Sequence, residues 1–257
     1  MRPRLLLLAG EGDSTHMVAN ELRKRFGDFP LLIEKAPPRW RTAHRRARRL
    51  GYGTAAGQVL FVITAARWLR LRSRARIEAI KRESGLDSTP VASNVIRIES
   101  ANGDEAISRL QSADPQLVVV NGTRILSRKV LGSISGRFVN MHAGITPAFR
   151  GTHGGYWAIA TGRPHLAGTT VHWIDPGVDT GPVLKQVLIQ PGPKDNFATY
   201  PYLQLAAGLP LLVETIQEFF QGRVTERALA GREATPSCLY HHPTLWSYLA
   251  GCLRGVK

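Results

Sequence analysis

The sequence predicts an α/β fold, with a doubly wound, mostly parallel sheet and a small C-terminal appendage of helix and strand. Continuous apolar runs such as RLLLLAG and LVVVNG are typical of parallel strands that are covered on both faces. Helical stretches alternate with these runs, as crossover connections require. Glycines and polar residues follow the runs at their carboxyl ends, where ligands bind in such sheets.

The first half of the chain contains five predicted strands. After RLLLLAG, we expect Asp13 or Ser14 to cap a helix that Gly27 ends. FPLLIEK, SNVIRIES, LVVVNG and RFVNMH are the next strands. Basic helices connect FPLLIEK to SNVIRIES, and the helix NGDEAISRLQSADP connects SNVIRIES to LVVVNG. The short helical crossover TRILSRKVLGSIS connects LVVVNG to RFVNMH.

The second half predicts two more strands and a long helix. AGTTVHWID and VLKQVLIQ are the strands, joined by the turn GVDTG. LPLLVETIQEFFQG predicts an amphipathic helix that ends at Gly222.

Charge and cysteine content limit the class of protein. The net charge is +15, and residues 1–90 carry 19 Lys and Arg against 8 Asp and Glu, so phosphates or other anions are expected partners. The two cysteines fit no common zinc spacing and suggest a reduced, cytoplasmic protein. No apolar run approaches the roughly 20 residues of a membrane span.

Three loops with polar residues follow predicted strands. These are Asn121–Leu126, the stretch beginning at Asn140 and His142, and Asp175–Gly181. Because carboxyl ends of strands share one edge of a sheet, we expect the three loops to converge on one site.

The same loops carry a family resemblance. VVVNGTRIL, NMHAGITPAFRGTHGGYWAI and GTTVHWIDPGVDTGPVLKQ together resemble the catalytic domain of the formyltetrahydrofolate-dependent formyltransferases, most strongly between Leu117 and Gln186. This resemblance implies a Rossmann-like formyltransferase fold and transfer of a formyl group from 10-formyltetrahydrofolate to a primary amine, with no metal. The segment AGITP differs from the sequence that is commonest at this position in the family. This difference implies a different amine acceptor.

The resemblance also assigns residues. It implies that Asn140, His142 and Asp179 are catalytic. The folate-binding candidates are Arg124, Ile125, Leu126, Asp175, Gly177 and Val178, although Asp175 is also favoured as a turn-forming residue. The candidates for binding the amine substrate are Gly10, Gly12, Ser14, Gly144, Ile145 and His153. His172, His241 and His242 are expected to be structural.

These residue types suit formyl transfer. An asparagine amide can donate to the oxyanion that forms when an amine attacks the formyl carbon. An imidazole can relay the proton, and a nearby carboxylate is expected to favour the imidazolium.

We assign residues 1–195 to the formyltransferase catalytic domain, with residues 39–82 as a basic helical insertion. Residues 196–257 are expected to form a C-terminal helix and appendage packed on the same domain. Between Arg39 and Arg76 there are 11 arginines and no acidic residue. This region is compatible with a solvated face, a site for an acceptor phosphate or folate tail, or a membrane-surface helix.

Several functions remain open on sequence alone. The favoured acceptor is an amino sugar linked to a nucleotide. Phosphoribosylglycinamide, another small amine, or water in a 10-formyltetrahydrofolate hydrolase are the enzymatic alternatives. A basic RNA- or membrane-binding protein is the non-enzymatic alternative, although nucleic acid is not the expected partner. A homodimer is compatible with the sequence.

Overall fold

The computed structural model describes residues 3–226 and 236–256. Its strands are β1 (Leu5–Gly10), β2 (Leu31–Glu34), β3 (Val95–Ile98), β4 (Leu117–Asn121), β5 (Arg137–His142), β6 (Phe149–Gly151), β7 (Gly168–Trp173), β8 (Val183–Leu188) and β9 (Cys238–Tyr240). Its helices are α1 (Asp13–Phe26), α2 (Arg39–Leu50), α3 (Tyr52–Phe61), α4 (Arg67–Arg72), α5 (Arg74–Glu83), α6 (Asp104–Ala113), α7 (Arg128–Leu131), α8 (Gly154–Ala160), α9 (Tyr200–Phe220) and α10 (Leu245–Leu253). A π-helical turn, Val62–Ala66, joins α3 to α4, and a 3-10 turn spans Pro164–Leu166.

Seven strands form the central sheet, in the order β3-β2-β1-β4-β5-β7-β8. The first five are parallel to one another, and β7 runs antiparallel to both β5 and β8. This confirms the predicted mostly parallel, doubly wound sheet. The strand order reverses between β1 and β4, which creates the crevice where ligands bind in folds of this kind.

Each face of the sheet has its own core. Leu7 and Val119 pack with α1 and α9 on one face, whereas Leu8 and Val118 pack with α6 and α7 on the other. Successive side chains of a strand point to opposite faces, so apolar residues at every position of β1 and β4 fill both cores.

Two helix boundaries differ from the sequence predictions. Gly12 is the N-cap of α1, without a side-chain cap, so the predicted capping by Asp13 or Ser14 is wrong. The long helix α9 begins at Tyr200, more than two turns before the predicted LPLLVETIQEFFQG. Its added turns bury Gln204 and Leu205, and Pro210 lies inside the helix.

Helices α2–α5 leave the sheet after β2 and build a smaller core. Phe61 and Leu69 are buried there with Tyr156, Tyr200 and Tyr248. The insertion thus packs against α8, α9 and α10. Among residues 3–226 and 236–256, no helix combines the length and apolarity that crossing a bilayer requires.

An ion pair fastens α5 to the loop after β8. The Arg76 guanidinium donates to both carboxylate oxygens of Asp195, at 2.9 and 3.3 Å, and the Asp195 side chain is only 1% exposed. Burial alone would raise the pKa of Asp195, but the hydrogen bonds from Arg76 and from the Gly192 backbone outweigh it and lower the pKa.

Replacing Arg76 with methionine is therefore expected to destabilise the fold by about 3 kcal/mol, because it leaves a buried carboxylate without its cation. The melting temperature should fall by about 6–12 °C in a chain of this size. Arg74→Met is the matched control, since Arg74 lies exposed on the same helix. Equal melting temperatures for the two variants would contradict this role of the pair.

Candidate active site

Three polar side chains meet where β5 and β7 pair. Asn140 and His142 alternate along β5 and so point to the same face of the sheet. The antiparallel register places His172 of β7 directly opposite Asn140. The Asn140 Nδ2 atom lies 3.2 Å from His172 Nε2, and the His142 side chain is buried.

Asp179 joins this cluster from the loop between β7 and β8. Its backbone is left-handed, with φ 51°, and its Oδ2 atom accepts a hydrogen bond of 2.9 Å from the Gly151 N–H. The same oxygen lies 3.4 Å from His142 Nδ1. Its Oδ1 atom lies 3.5 Å from Asn140 Nδ2 and 3.6 Å from His172 Nε2. One carboxylate therefore contacts all three side chains.

Backbone carbonyls determine which nitrogen of each imidazole donates a hydrogen bond. His142 Nε2 lies 2.7 Å from the Phe149 carbonyl, which can only accept, so Nε2 carries the proton and Nδ1 faces Asp179 with a lone pair. His172 Nδ1 likewise donates to the Trp173 carbonyl at 2.8 Å. The free Nε2 of His172 then accepts from Asn140.

Burial governs the ionisation of this cluster. It lowers the pKa of His142 below the ordinary histidine value, and Asp179 and the Phe149 carbonyl offset it only in part. The carboxylate does favour the imidazolium, as expected, but desolvation outweighs its effect. Burial alone would raise the pKa of Asp179, but the facing His172 and His142 side chains and the hydrogen bond from the Gly151 N–H lower it overall. The geometry supplies a neutral base beside an ionised carboxylate.

His172 lies in the cluster, a position that the sequence interpretation did not anticipate. Its alternation within a strand favoured a structural role, whereas it contacts both Asn140 and Asp179. The sequence signal that could have found it is the G-T-x-V-H motif combined with antiparallel pairing of the two strands. Only that register brings residues 140 and 172 together.

A cavity of about 520 Å³ opens on the other face of β5. Met141 and Ala143, the neighbours of His142, line it, together with Gly12, Asp13, Ser14, Ala66, Arg70, Asn121, Thr169, Phe197, Ala198, Pro201, Tyr202, Gln204 and Leu205. Arg70 reaches it from α4 and pairs with Asp13 at 2.9 Å. Two of the predicted substrate-binding residues, Gly12 and Ser14, therefore lie in this cavity.

The other predicted substrate-binding residues lie outside the cavity wall. Gly10 packs on the Gly122 carbonyl, where a Cβ atom would approach within 2.3 Å. Gly144 allows His142 to reach the Phe149 carbonyl, since a Cβ atom there would lie 2.5 Å from His142 Nε2. Ile145 is buried.

His153, the last of these candidates, pairs with His242. His153 Nε2 and His242 Nδ1 lie 2.9 Å apart, and the His153 ring packs on Phe197, which lines the cavity.

The predicted folate-binding residues have mixed surroundings. The Arg124 guanidinium donates to Ser100 Oγ and to the carbonyls of Lys35 and Glu99, so it holds its own loop to the ends of β2 and β3. Leu126 is buried in the core on the His142 side of the sheet. Ile125, between them, is 59% exposed although it is apolar.

The loop after β7 is shaped by Asp175. Its Oδ1 atom accepts from the Gly177 N–H at 3.0 Å and from Thr180 Oγ1 at 2.7 Å, as the turn-forming interpretation expected. The Val178 carbonyl accepts from Arg150 at 3.2 Å. Ile174, at the start of this loop, packs on the core that contains Leu126, so both loops lie on the His142 side of the sheet.

The histidine pair predicts acid sensitivity. Burial, followed by nearby positive charge, lowers the pKa of His153 to about 3 and that of His242 to about 4. Above about pH 6.5 both groups are neutral in the folded and unfolded chains and contribute nothing. Below it the unfolded chain binds protons first, so stability falls by up to about 1.4 kcal/mol per pH unit for each histidine.

The measurement is the melting temperature of His242→Asn between about pH 7 and pH 4. Asparagine keeps a polar atom near the position of Nδ1 and removes the titration, so its curve should be flatter than that of the parent. His165→Asn is the matched control, because it makes the same substitution at an exposed position. A curve for His242→Asn as steep as that of the parent would contradict the assignment.

Comparison with known proteins identifies the family of this chain. Residues 33–202 match the family described as formyl transferase. A methionyl-tRNA formyltransferase from Thermodesulfovibrio yellowstonii is 32% identical over 134 residues, which cover 52% of this chain and 43% of that protein. A phosphoribosylglycinamide formyltransferase from Mycobacterium tuberculosis is 46% identical over 85 residues, covering 32% and 39%. The chain thus matches less than half the length of each of these relatives.

Solved structures share the fold at low identity. The phosphoribosylglycinamide formyltransferase of Anaplasma phagocytophilum superimposes with a TM-score of 0.56 at 18% identity, covering 88% of this chain and 90% of that one. A sugar N-formyltransferase from a Shewanella species gives 0.52 at 14% identity, covering 89% and 74%. The extent of the family match shows that the chain belongs to the formyl transferase family.

Proposed function

We propose that this protein transfers a formyl group from 10-formyltetrahydrofolate to a primary amine. The observation that carries the proposal is the convergence of Asn140, His142 and His172 on the Asp179 carboxylate at the carboxyl end of β5. An amide donor, a neutral imidazole and an ionised carboxylate are the groups that formyl transfer between nitrogens requires.

The residues on the His142 side of the sheet fit a folate donor. Ile125 presents an exposed apolar side chain, and its backbone is held by Asn102, which donates to the Ile125 carbonyl at 2.9 Å. Asp175 fixes the turn at Gly177 in the facing loop. A preformed backbone with one exposed apolar side chain suits a flat heteroaromatic ring. The donor supplies a formyl carbon already activated on a nitrogen.

Asn140 and His142 then have distinct tasks. One N–H of Asn140 is directed at His172, and the other makes only the long contact to Asp179, which leaves it available to the formyl oxygen. As the amine forms its bond to the formyl carbon, His142 Nδ1 accepts the amine proton. Asp179 stabilises the resulting imidazolium, which returns the proton to the departing folate nitrogen as the old C–N bond breaks.

For the acceptor we propose an amino sugar linked to a nucleotide. The cavity of about 520 Å³ lies within the range of small-molecule sites. It contains the N-terminal turn of α1 at Gly12 and Ser14, which favours anions, and the guanidinium of Arg70. An acceptor anchored there would reach His142 past Ala143, at the end of β5.

A ligand screen and a turnover assay test the proposal together. A ligand at 100 times its dissociation constant should stabilise the protein by about 2.7 kcal/mol, which corresponds to a rise in melting temperature of several degrees. Folates and nucleotide-linked amino sugars should each do so, and release of tetrahydrofolate should require the amine. Stabilisation by phosphoribosylglycinamide alone would overturn the acceptor assignment. Formate release that no amine changes would indicate transfer to water, and no folate effect at all would overturn the function.

A further inference from the structure

Large apolar side chains are exposed together on the inserted helices and on α10. On α3 and the π-helical turn, Leu60 and Ile63 are 42% and 59% exposed. On α4, Trp68 and Leu71 are 58% and 66% exposed, and Leu253 of α10 reaches 90%. Val59, Val62, Trp246 and Leu249 add to the same group. Soluble proteins rarely expose so many neighbouring apolar side chains without a partner.

The elements that carry these side chains are in contact with one another. The Trp246 indole lies on Gly57, so α10 and α3 are in direct contact. At the other end, Trp68 lines a groove with Cys252 and Val256 of the C-terminal segment. We refer to the exposed side chains of α3, the π-helical turn, α4 and α10 as the apolar face.

Within the described part of the chain, arginines without carboxylate partners lie on the inserted helices, of which α3 and α4 contribute to the apolar face and α2 packs on α3. Within α2–α5, only Arg70 and Arg76 pair with a carboxylate across elements among the described residues. The side chains of Arg45, Arg48, Arg49, Arg67 and Arg74 form no ion pair within the described part of the chain. The Arg72 guanidinium carbon lies 5.4 Å from the centroid of the Trp68 ring, so this exposed tryptophan makes a cation–π contact.

We propose that the apolar face docks this protein on the surface of an anionic lipid bilayer. Exposed Leu, Ile and Trp side chains can enter the headgroup region, while the arginines around them attract anionic lipids. Docking needs no membrane-spanning helix. It is a property separate from formyl transfer and does not depend on the proposed acceptor.

Charge complementarity distinguishes between three candidate partners for this face: a second copy of the chain, a nucleic acid and an anionic bilayer. A second copy packed about a twofold axis would set one arginine-rich border against the other, which is unfavourable. A nucleic acid would satisfy the arginines but leave Ile63, Leu71 and Leu253 in water. An anionic bilayer matches both the charge and the apolar side chains.

Docking would also bring the cavity close to the lipid. Helix α4 carries Arg70 in the cavity wall and Trp68 and Leu71 on the apolar face. The helix that borders the proposed acceptor site would therefore rest on the bilayer.

The test measures cosedimentation of the full chain with large unilamellar vesicles. One set contains phosphatidylcholine alone, and the other an equimolar mixture with phosphatidylglycerol. We expect binding to the anionic vesicles, weakened as salt rises from about 0.1 to about 1 M and the Debye length falls from about 10 to about 3 Å. No binding to the anionic set at low salt, or equal binding to both sets, would overturn the proposal.

Two triple variants separate the apolar and charged contributions. Arg48→Glu, Arg67→Glu and Arg74→Glu together should weaken binding at least about 100-fold, at roughly fivefold for each arginine removed. Ile63→Ser, Leu71→Ser and Leu253→Ser together should also lose binding while the charge is unchanged. The matched control combines Arg109→Glu, Arg128→Glu and Leu188→Ser, which are exposed positions outside the apolar face.

Circular dichroism and the melting temperature establish whether each variant is folded. If a triple variant does not fold, its three single substitutions are tested instead. Loss of binding by the control variant to the same extent would overturn the proposal. So would single-stranded RNA that displaces the protein from anionic vesicles at equal charge concentration. A dimer in solution that Leu71→Ser dissociates would assign the face to a second copy instead.

Discussion

Replacing Asn140 with alanine is expected to lower kcat for formyl transfer by about 100- to 1,000-fold. The side chain has one N–H directed at His172 and a second N–H that makes only a 3.5 Å contact with Asp179. That second N–H can donate to the formyl oxygen as it becomes an oxyanion. Because the charge exists only in the transition state, the KM for donor and acceptor should change little.

The variant is compared with Asn20→Ala, which removes an asparagine of α1 that donates to the carbonyls of Asp87 and Thr89 away from the cluster. The control should keep the parent kcat. A kcat for Asn140→Ala within about fivefold of the parent, in a protein with unchanged melting temperature, would show that Asn140 does not stabilise the oxyanion.

The central strands could be predicted from the sequence because their physical demands are strict. Strands such as β1 and β4, covered on both faces, must be apolar at every position, and such runs are rare elsewhere in the chain. The three-residue strands β6 and β9 have no such pattern, and their pairing joins residues about 89 positions apart. The sequence alone does not reveal such a contact.

The candidate site was predictable only in part, for a related reason. Asn140 and His142 lie at the end of a recognisable strand, which a local pattern indicates, whereas Asp179 lies within a glycine-containing turn and is indicated by the family resemblance. The place of His172 depends on the register of two antiparallel strands. The resemblance alone assigns Arg124 to folate binding, and in the structure its guanidinium is bound to backbone carbonyls of its own fold.

The second large effect is expected from Asp179→Asn. Asparagine tolerates the left-handed backbone at this position, where φ is 51°, and its carbonyl can still accept from the Gly151 N–H. The substitution therefore removes the charge with little change of shape. The imidazolium that forms when His142 takes the amine proton loses its counter-ion, and kcat on the pH plateau should fall by about 100- to 10,000-fold.

The pH profile distinguishes this role from a structural one. Burial lowers the pKa of His142, and Asp179 is the largest influence that raises it, so the pKa should fall further in the Asp179→Asn variant. Activity needs neutral His142 and is lost as pH falls through this pKa. The acidic limb of kcat should thus lie below about pH 6.5 in the parent and move to still lower pH in the variant.

Asp114→Asn is the matched control, because Asp114 also has a left-handed backbone, with φ 39°, and lies at the end of α6 away from the cluster. It should leave both the plateau and the limb unchanged. If Asp179→Asn instead lowered the plateau while its acidic limb stayed in place, Asp179 would not interact with the group that titrates. If the limb disappeared, the carboxylate of Asp179 would itself be the titrating base. Only a displaced limb together with a lowered plateau fits a carboxylate that acts through His142.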